Sequence, residues 1–172
     1  MTLLRQRMLE DMQLRNLSPN TQEAYVRAVS QLARFYKKSP DQLQREEVRA
    51  YLVHSVQQRR VSPSTYNQIR CALCFFYQVT LGREGVVDHV VCQKTPRRLP
   101  VILSRAEVAQ FFAAIRRPKY RAVFMTIYAT GLRVSEVVAL RVGDIDSKRM
   151  VIRVCQGKGQ KDRYVMLSPR LL

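Results

Sequence analysis

The sequence predicts a mainly α protein in two parts, a four-helix bundle followed by a mixed α/β segment that ends in a β-hairpin. Three observations carry this reading. Apolar residues recur at helical spacing through the first 82 residues. Two Ser-Pro pairs, Ser18-Pro19 and Ser62-Pro63, supply a serine N-cap followed by a proline suited to the first helical turn. Near the other end, Met150-Val151-Ile152-Arg153-Val154-Cys155 and Tyr164-Val165-Met166-Leu167 flank a glycine-rich basic stretch, Gly157 to Arg163, as two strands flank a hairpin tip.

The first helix covers residues 2–15, where Leu3, Leu4, Met8 and Met12 share a face. The second starts at Ser18-Pro19 and carries the stripe Tyr25, Val29, Leu32 and Tyr36. Ser39-Pro40 marks a turn. The third runs over 45–59 with Val48, Tyr51, Leu52 and Val56 on one side. The fourth opens at Ser62-Pro63, turns Tyr66, Ile69, Leu73, Phe76 and Val79 inward, and ends near Gly82. Short loops between these helices imply antiparallel neighbours. Residues 83–98 read as a linker, broken by Gly85 and Pro96 and made basic by Lys94, Arg97 and Arg98.

The second part begins at Leu99. Ser104 and Glu107 form a capping-box pattern ahead of a helix with Val108, Phe111, Phe112 and Ile115. Pro118 ends that helix, and Tyr120 to Thr130 forms the next. Gly131 is placed to cap it in the left-handed conformation. A short helix follows, with Arg133 in or near its first turn and Glu136 three residues on, close enough to hold the guanidinium. An arginine there opposes the helix dipole unless an anion sits nearby, and its planar fork suits phosphate oxygens. A plain surface Arg–Glu pair is the alternative.

Composition narrows the partner. The 172 residues carry a formal charge of +17, with +6 in residues 1–82 and +11 in 83–172, so both parts are basic. That predicts a polyanionic partner, foremost nucleic acid. No stretch approaches the ~18 apolar residues of a membrane span, and the N-terminus lacks the apolar core of a signal peptide. These features predict a cytoplasmic protein with no membrane partner. Cys71 and Cys74 form a lone CxxC among apolar residues, with no second pair to complete a zinc site, so they read as core cysteines. His54 and His89 are isolated, and no metal is expected.

Thr130-Gly131-Leu132-Arg133-Val134-Ser135-Glu136, followed at the right distance by a hairpin bearing Gly157-Lys158-Gly159-Gln160-Lys161-Asp162-Arg163, resembles the tyrosine recombinase (phage integrase) family, close to its Xer-type and integron-integrase branches. The resemblance extends to Ser18-Pro19-Asn20-Thr21-Gln22-Glu23-Ala24-Tyr25, to Ser64-Thr65-Tyr66-Asn67-Gln68-Ile69-Arg70 and to the run from Leu99 to Val108. It implies a core-binding, SAM-like DNA-binding domain over 1–82, a linker over 83–98, and the first half of a catalytic domain, C-terminally truncated, over 99–172.

The resemblance also implies roles. Arg133 would be the first phosphate-clamping arginine, Lys158 the general acid on the hairpin tip, and Glu136 the support for Arg133. Arg27, Arg34, Lys37, Lys38, Arg59, Arg60 and Arg70 are candidates for phosphate contacts in the first domain. Arg97 and Arg98 are candidates in the linker, and Lys161 and Arg163 on the hairpin. Strand exchange needs a nucleophile, cations on the non-bridging oxygens and an acid for the leaving oxygen; arginines supply the charge without a metal, so no cofactor is expected. Duplex DNA is the implied partner, with other recombinase protomers on it. The family's His-x-x-Arg box and nucleophilic tyrosine are not found. Tyr164 sits on the hairpin, whereas the family's nucleophile comes from a helix. The chain alone is therefore expected not to cleave DNA, and its second part to expose an apolar face and be loose. Two other functions compete with this one. The first is a non-catalytic duplex-DNA-binding module that occupies recombination sites. The second is a basic RNA-binding protein, which the lack of an aromatic-and-glycine RNA motif disfavours.

Overall fold

Serine caps and prolines set two of the four α-helix starts of the first 80 residues. The computed structural model describes residues 2–96, 99–155 and 162–171. It divides into two units, Met1–Arg98 and Leu99–Leu172. In the first, α1 spans Leu3–Leu14, α2 Pro19–Tyr36, α3 Arg45–Gln57 and α4 Pro63–Cys74. Ser18 Oγ accepts from the backbone N–H of Thr21 at 3.3 Å, and Ser62 Oγ from that of Thr65 at 3.2 Å. Each cap satisfies one of the orphan donors of a helix start. A 3₁₀ turn, Pro40–Gln42, joins α2 to α3.

The core of this unit holds Met8, Met12, Val29, Leu32, Val48, Tyr51, Leu52, Ile69, Leu73, Phe76 and Tyr77, all buried. Most of the expected stripe residues thus meet in one cluster, with Leu4, Tyr25, Tyr36 and Val56 packed against it, but Leu3 at the first turn of α1 is exposed and Val79 stays outside it. The fourth helix departs from expectation at its end. Phe75–Thr80 continues α4 as a π-helical turn. The turn is one residue wider there, and Phe76, Tyr77 and Thr80 are all buried. The Tyr77 hydroxyl donates to Pro40 O at 2.8 Å, and burial pushes its ionisation above the usual tyrosine range.

The stretch expected to be a linker is a different object. Residues 86–93 belong to the first unit, and Val86 and Val87 are buried in its core. Asn67 Nδ2 donates to Gln93 O at 2.9 Å, and the Gln93 N–H donates to Asn67 Oδ1 at 2.8 Å. Arg83 Nη1 donates to Asp41 O at 2.6 Å and its guanidinium lies over the Tyr77 ring. The valines are the reason: burying them outweighs the local breaking tendency of Gly85. Cys71, read as a core residue, is exposed, and Cys74 is half-buried.

In the second unit α5 spans Arg105–Ala114, α6 Pro118–Thr130 and α7 Val134–Val138. Ser104 and Glu107 form the expected capping box. Pro118 is the first residue of α6 rather than a break before it, as proline at N1 loses no helical bond. Gly131 adopts φ 66° and its N–H reaches Ile127 O at 2.9 Å. A three-stranded antiparallel sheet follows, in the order β1 (Ile145–Asp146), β2 (Val151–Val154) and β3 (Arg163–Met166). The strand β1, absent from the sequence reading, is two residues long, too short to show alternation. Neither α5 nor α6 holds a fully buried residue. Leu132, Val137 and Val154 form a small core, while Leu99, Val101, Ile102 and Tyr128 are exposed. Among the described residues, no helix is long and apolar enough to cross a membrane.

Candidate functional site

Arg133 is not inside α7 but is its N-cap residue, with extended backbone. Glu136 stands three residues later and turns back. Its Oε2 accepts the Arg133 backbone N–H at 2.9 Å, and its Oε1 accepts Arg133 Nη1 at 3.0 Å. With only five residues α7 has little dipole, so the carboxylate and not an obligatory anion accounts for the arginine's place.

A second arginine joins them from the sheet. Across β2 and β3, Ile152 pairs with Val165 and Val154 with Arg163. Side chains alternate along a strand, so Arg163 shares the face of Val154 and Val165 that packs on the small core around Val137 of α7. There its Nη1 donates to Glu136 Oε1 at 3.0 Å and its Nη2 to Oε2 at 2.8 Å, a two-pronged pair. Glu136 is only 7% exposed, against 54% for Arg133 and 38% for Arg163. The expected place of Arg163 on the hairpin tip is therefore corrected: it opens β3, and its fork is committed to Glu136. The signal was present, since Arg163, Val165 and Leu167 continue one alternating face. Lys158 and Lys161 lie outside the described residues, as do Arg97 and Arg98.

The Arg163 hydrogen bonds, then the Arg133 backbone N–H, hold the Glu136 carboxyl down to about 2 from an ordinary 4.5. A carboxylate whose pKa falls on folding stabilises the fold above its unfolded value and loses that contribution as the pH drops through the folded one. The second unit is thus expected to lose stability between about pH 4.5 and pH 2. Glu136→Gln should flatten that acid limb in thermal unfolding scans taken across the window. An unchanged limb would show that Glu136 is not its source.

In the first unit the candidate cations divide by what they touch. Arg27 and Arg34, seven residues apart, share the outer face of α2, with Arg27 paired to Glu23 at 2.6 Å. Lys37 and Arg60, both exposed, follow the ends of α2 and α3 in the left-handed region, at φ 51° and 48°. Lys38 reaches Glu47 at 3.5 Å. Arg59 donates to the Tyr51 hydroxyl at 3.3 Å. Arg70 differs: its Nε donates to Val90 O and its Nη1 to Cys92 Sγ at 3.5 Å, so its guanidinium fastens the 86–93 stretch. Among the described residues, no group of three or more His, Cys, Asp or Glu is placed to hold a metal ion.

Residues 4–85 match the N-terminal SAM-like domain of phage integrases, and residues 102–172 match the phage integrase family. The chain belongs to the tyrosine recombinase family. This recombinase chain is 52% identical over 173 residues to the integrase/recombinase y4qK of Sinorhizobium fredii, an alignment covering 100% of the chain and 56% of the relative. It is 30% identical over 161 residues to the tyrosine recombinase XerA of Thermococcus onnurineus, covering 92% and 55%. It therefore spans about half the length of the curated relatives it matches. The solved Tn1549 transposon integrase, in complex with circular intermediate DNA, superposes with a TM-score of 0.65 at 19% identity, over 98% of this chain and 61% of that one. At that identity the likeness is one of fold.

Proposed function

We propose that these 172 residues bind duplex DNA as the DNA-gripping and first catalytic part of a site-specific tyrosine recombinase. The observation that carries this reading is the Arg133–Glu136–Arg163 cluster, one buried carboxylate between two guanidiniums with the more exposed one, Arg133, carrying surplus positive charge. A cation fixed in this way suits a non-bridging phosphate oxygen, whose charge grows as the phosphorus is attacked. Arg133 clamps that oxygen, and Glu136 orients the Arg133 guanidinium. Lys158 delivers a proton to the departing 5′ oxygen. The exposed cations of the first unit hold the backbone on one side of the duplex and set register rather than sequence. The charge of +17 supports a polyanionic partner, and the Tn1549 integrase of the same fold was solved with DNA.

The residues present supply binding and part of the charge stabilisation, but no His-x-x-Arg box. Tyr164 pairs with Arg153 across the sheet and is exposed on the face opposite Arg163, away from Glu136. On their own these residues are expected to shift duplex DNA without cutting it. A nicked suicide substrate tests this: a retarded complex that dissolves in detergent is the expected result. A covalent protein–DNA adduct would overturn the non-cleaving reading, and no retarded complex at low salt would overturn DNA binding itself.

A further inference from the structure

The Glu136 carboxylate accepts four hydrogen bonds. Oε1 takes Arg133 Nη1 and Arg163 Nη1, both at 3.0 Å; Oε2 takes the Arg133 N–H at 2.9 Å and Arg163 Nη2 at 2.8 Å. That matches the acceptor capacity of a carboxylate, about four sites. The two arginines use it unequally. Arg163 meets it with both prongs of its fork, whereas the Arg133 side chain makes one bond. Without Arg163, Glu136 and Arg133 would form a neutral pair, and an approaching phosphate would meet a negative charge 3.0 Å from the guanidinium it must bind. With Arg163 the cluster is net positive, and the surplus lies on the more exposed arginine.

We infer that Arg163 is a positioning residue that takes up the charge and the lone pairs of Glu136, leaving Arg133 a cation competent to hold a phosphate. This rests on the reading of Arg133 as the phosphate clamp. It assigns Arg163 a role through Glu136 and not through its own contact with DNA. Because β3 opens at Arg163, the same bond ties the hairpin's return strand to the start of α7. Lysine is a poor substitute, being a point charge without a fork.

The test uses the full 172-residue chain with inorganic phosphate as the probe, followed by NMR of the Arg133 Nε–H resonance. Arg163→Met is expected to weaken phosphate binding at Arg133 by about tenfold, the scale of one uncompensated charge near the surface. Adding Glu136→Gln to it should restore binding to within about threefold of the parent, because the charge to be compensated is gone. Arg163→Lys should fall between. A double variant as weak as Arg163→Met would overturn the inference, as would an Arg163→Met chain that binds phosphate like the parent, or a parent whose Arg133 ignores phosphate. If Arg163→Met does not fold, Glu136→Gln alone decides: tighter phosphate binding at Arg133 is expected, and unchanged or weaker binding is contrary. Failure of the underlying reading looks different. The charge rescue would then be seen with phosphate while Arg133→Ala left duplex affinity untouched.

Discussion

Raising the salt from 50 to 200 mM is expected to weaken duplex DNA binding by about a thousandfold. The expectation comes from the number of cations free to meet phosphates. In the first unit Arg27, Arg34, Lys37, Lys38, Arg59 and Arg60 lie at the surface. Arg70 and Arg83 are excluded, since their guanidiniums are bound to backbone carbonyls of their own unit. The Arg27–Glu23 and Lys38–Glu47 pairs are exposed, and such pairs contribute little and exchange easily for a phosphate. About six phosphates neutralised at a slope of roughly −0.9 each give log K against log salt a slope near −5. Fluorescence anisotropy over a salt series measures it. A slope shallower than about −2 would mean that this surface does not track the backbone. Lys37→Gln should flatten the slope by about 0.9 with little dependence on DNA sequence.

Leu73→Ala is expected to cost the first unit about 3 kcal/mol. Leu73 is fully buried in the cluster that also holds Leu32, Tyr51 and Phe76. Removing it leaves a cavity in that cluster. In a domain of this size a loss on that scale lowers the melting temperature by more than about 10 °C. Thermal unfolding monitored by helical circular dichroism is the measurement. A loss under about 1 kcal/mol would show that the neighbours collapse into the space. Met166→Ala, on the exposed side of β3, is the control and should stay within about 0.5 kcal/mol. The second unit, with its small buried cluster, should be the more sensitive to acid, through Glu136.

The amino-acid sequence by itself determined the four helices of the bundle, the serine caps of two of them and most of their buried stripes. These rest on local spacing and local hydrogen bonds, which a chain carries wherever it goes. It also determined the capping glycine at 131, the Arg133–Glu136 pair and two of the three strands. Tertiary structure alone decided the rest. Stretch 86–93 reads as a linker until Val86 and Val87 find a core to enter. The π turn at Phe75–Thr80 has no local signal, and the Tyr77 hydroxyl within it reaches Pro40, 37 residues earlier. Arg163 reads as one more hairpin cation until strand register turns it toward a carboxylate 27 residues earlier. Each depends on a partner distant in sequence, and no local pattern encodes which distant group will be near.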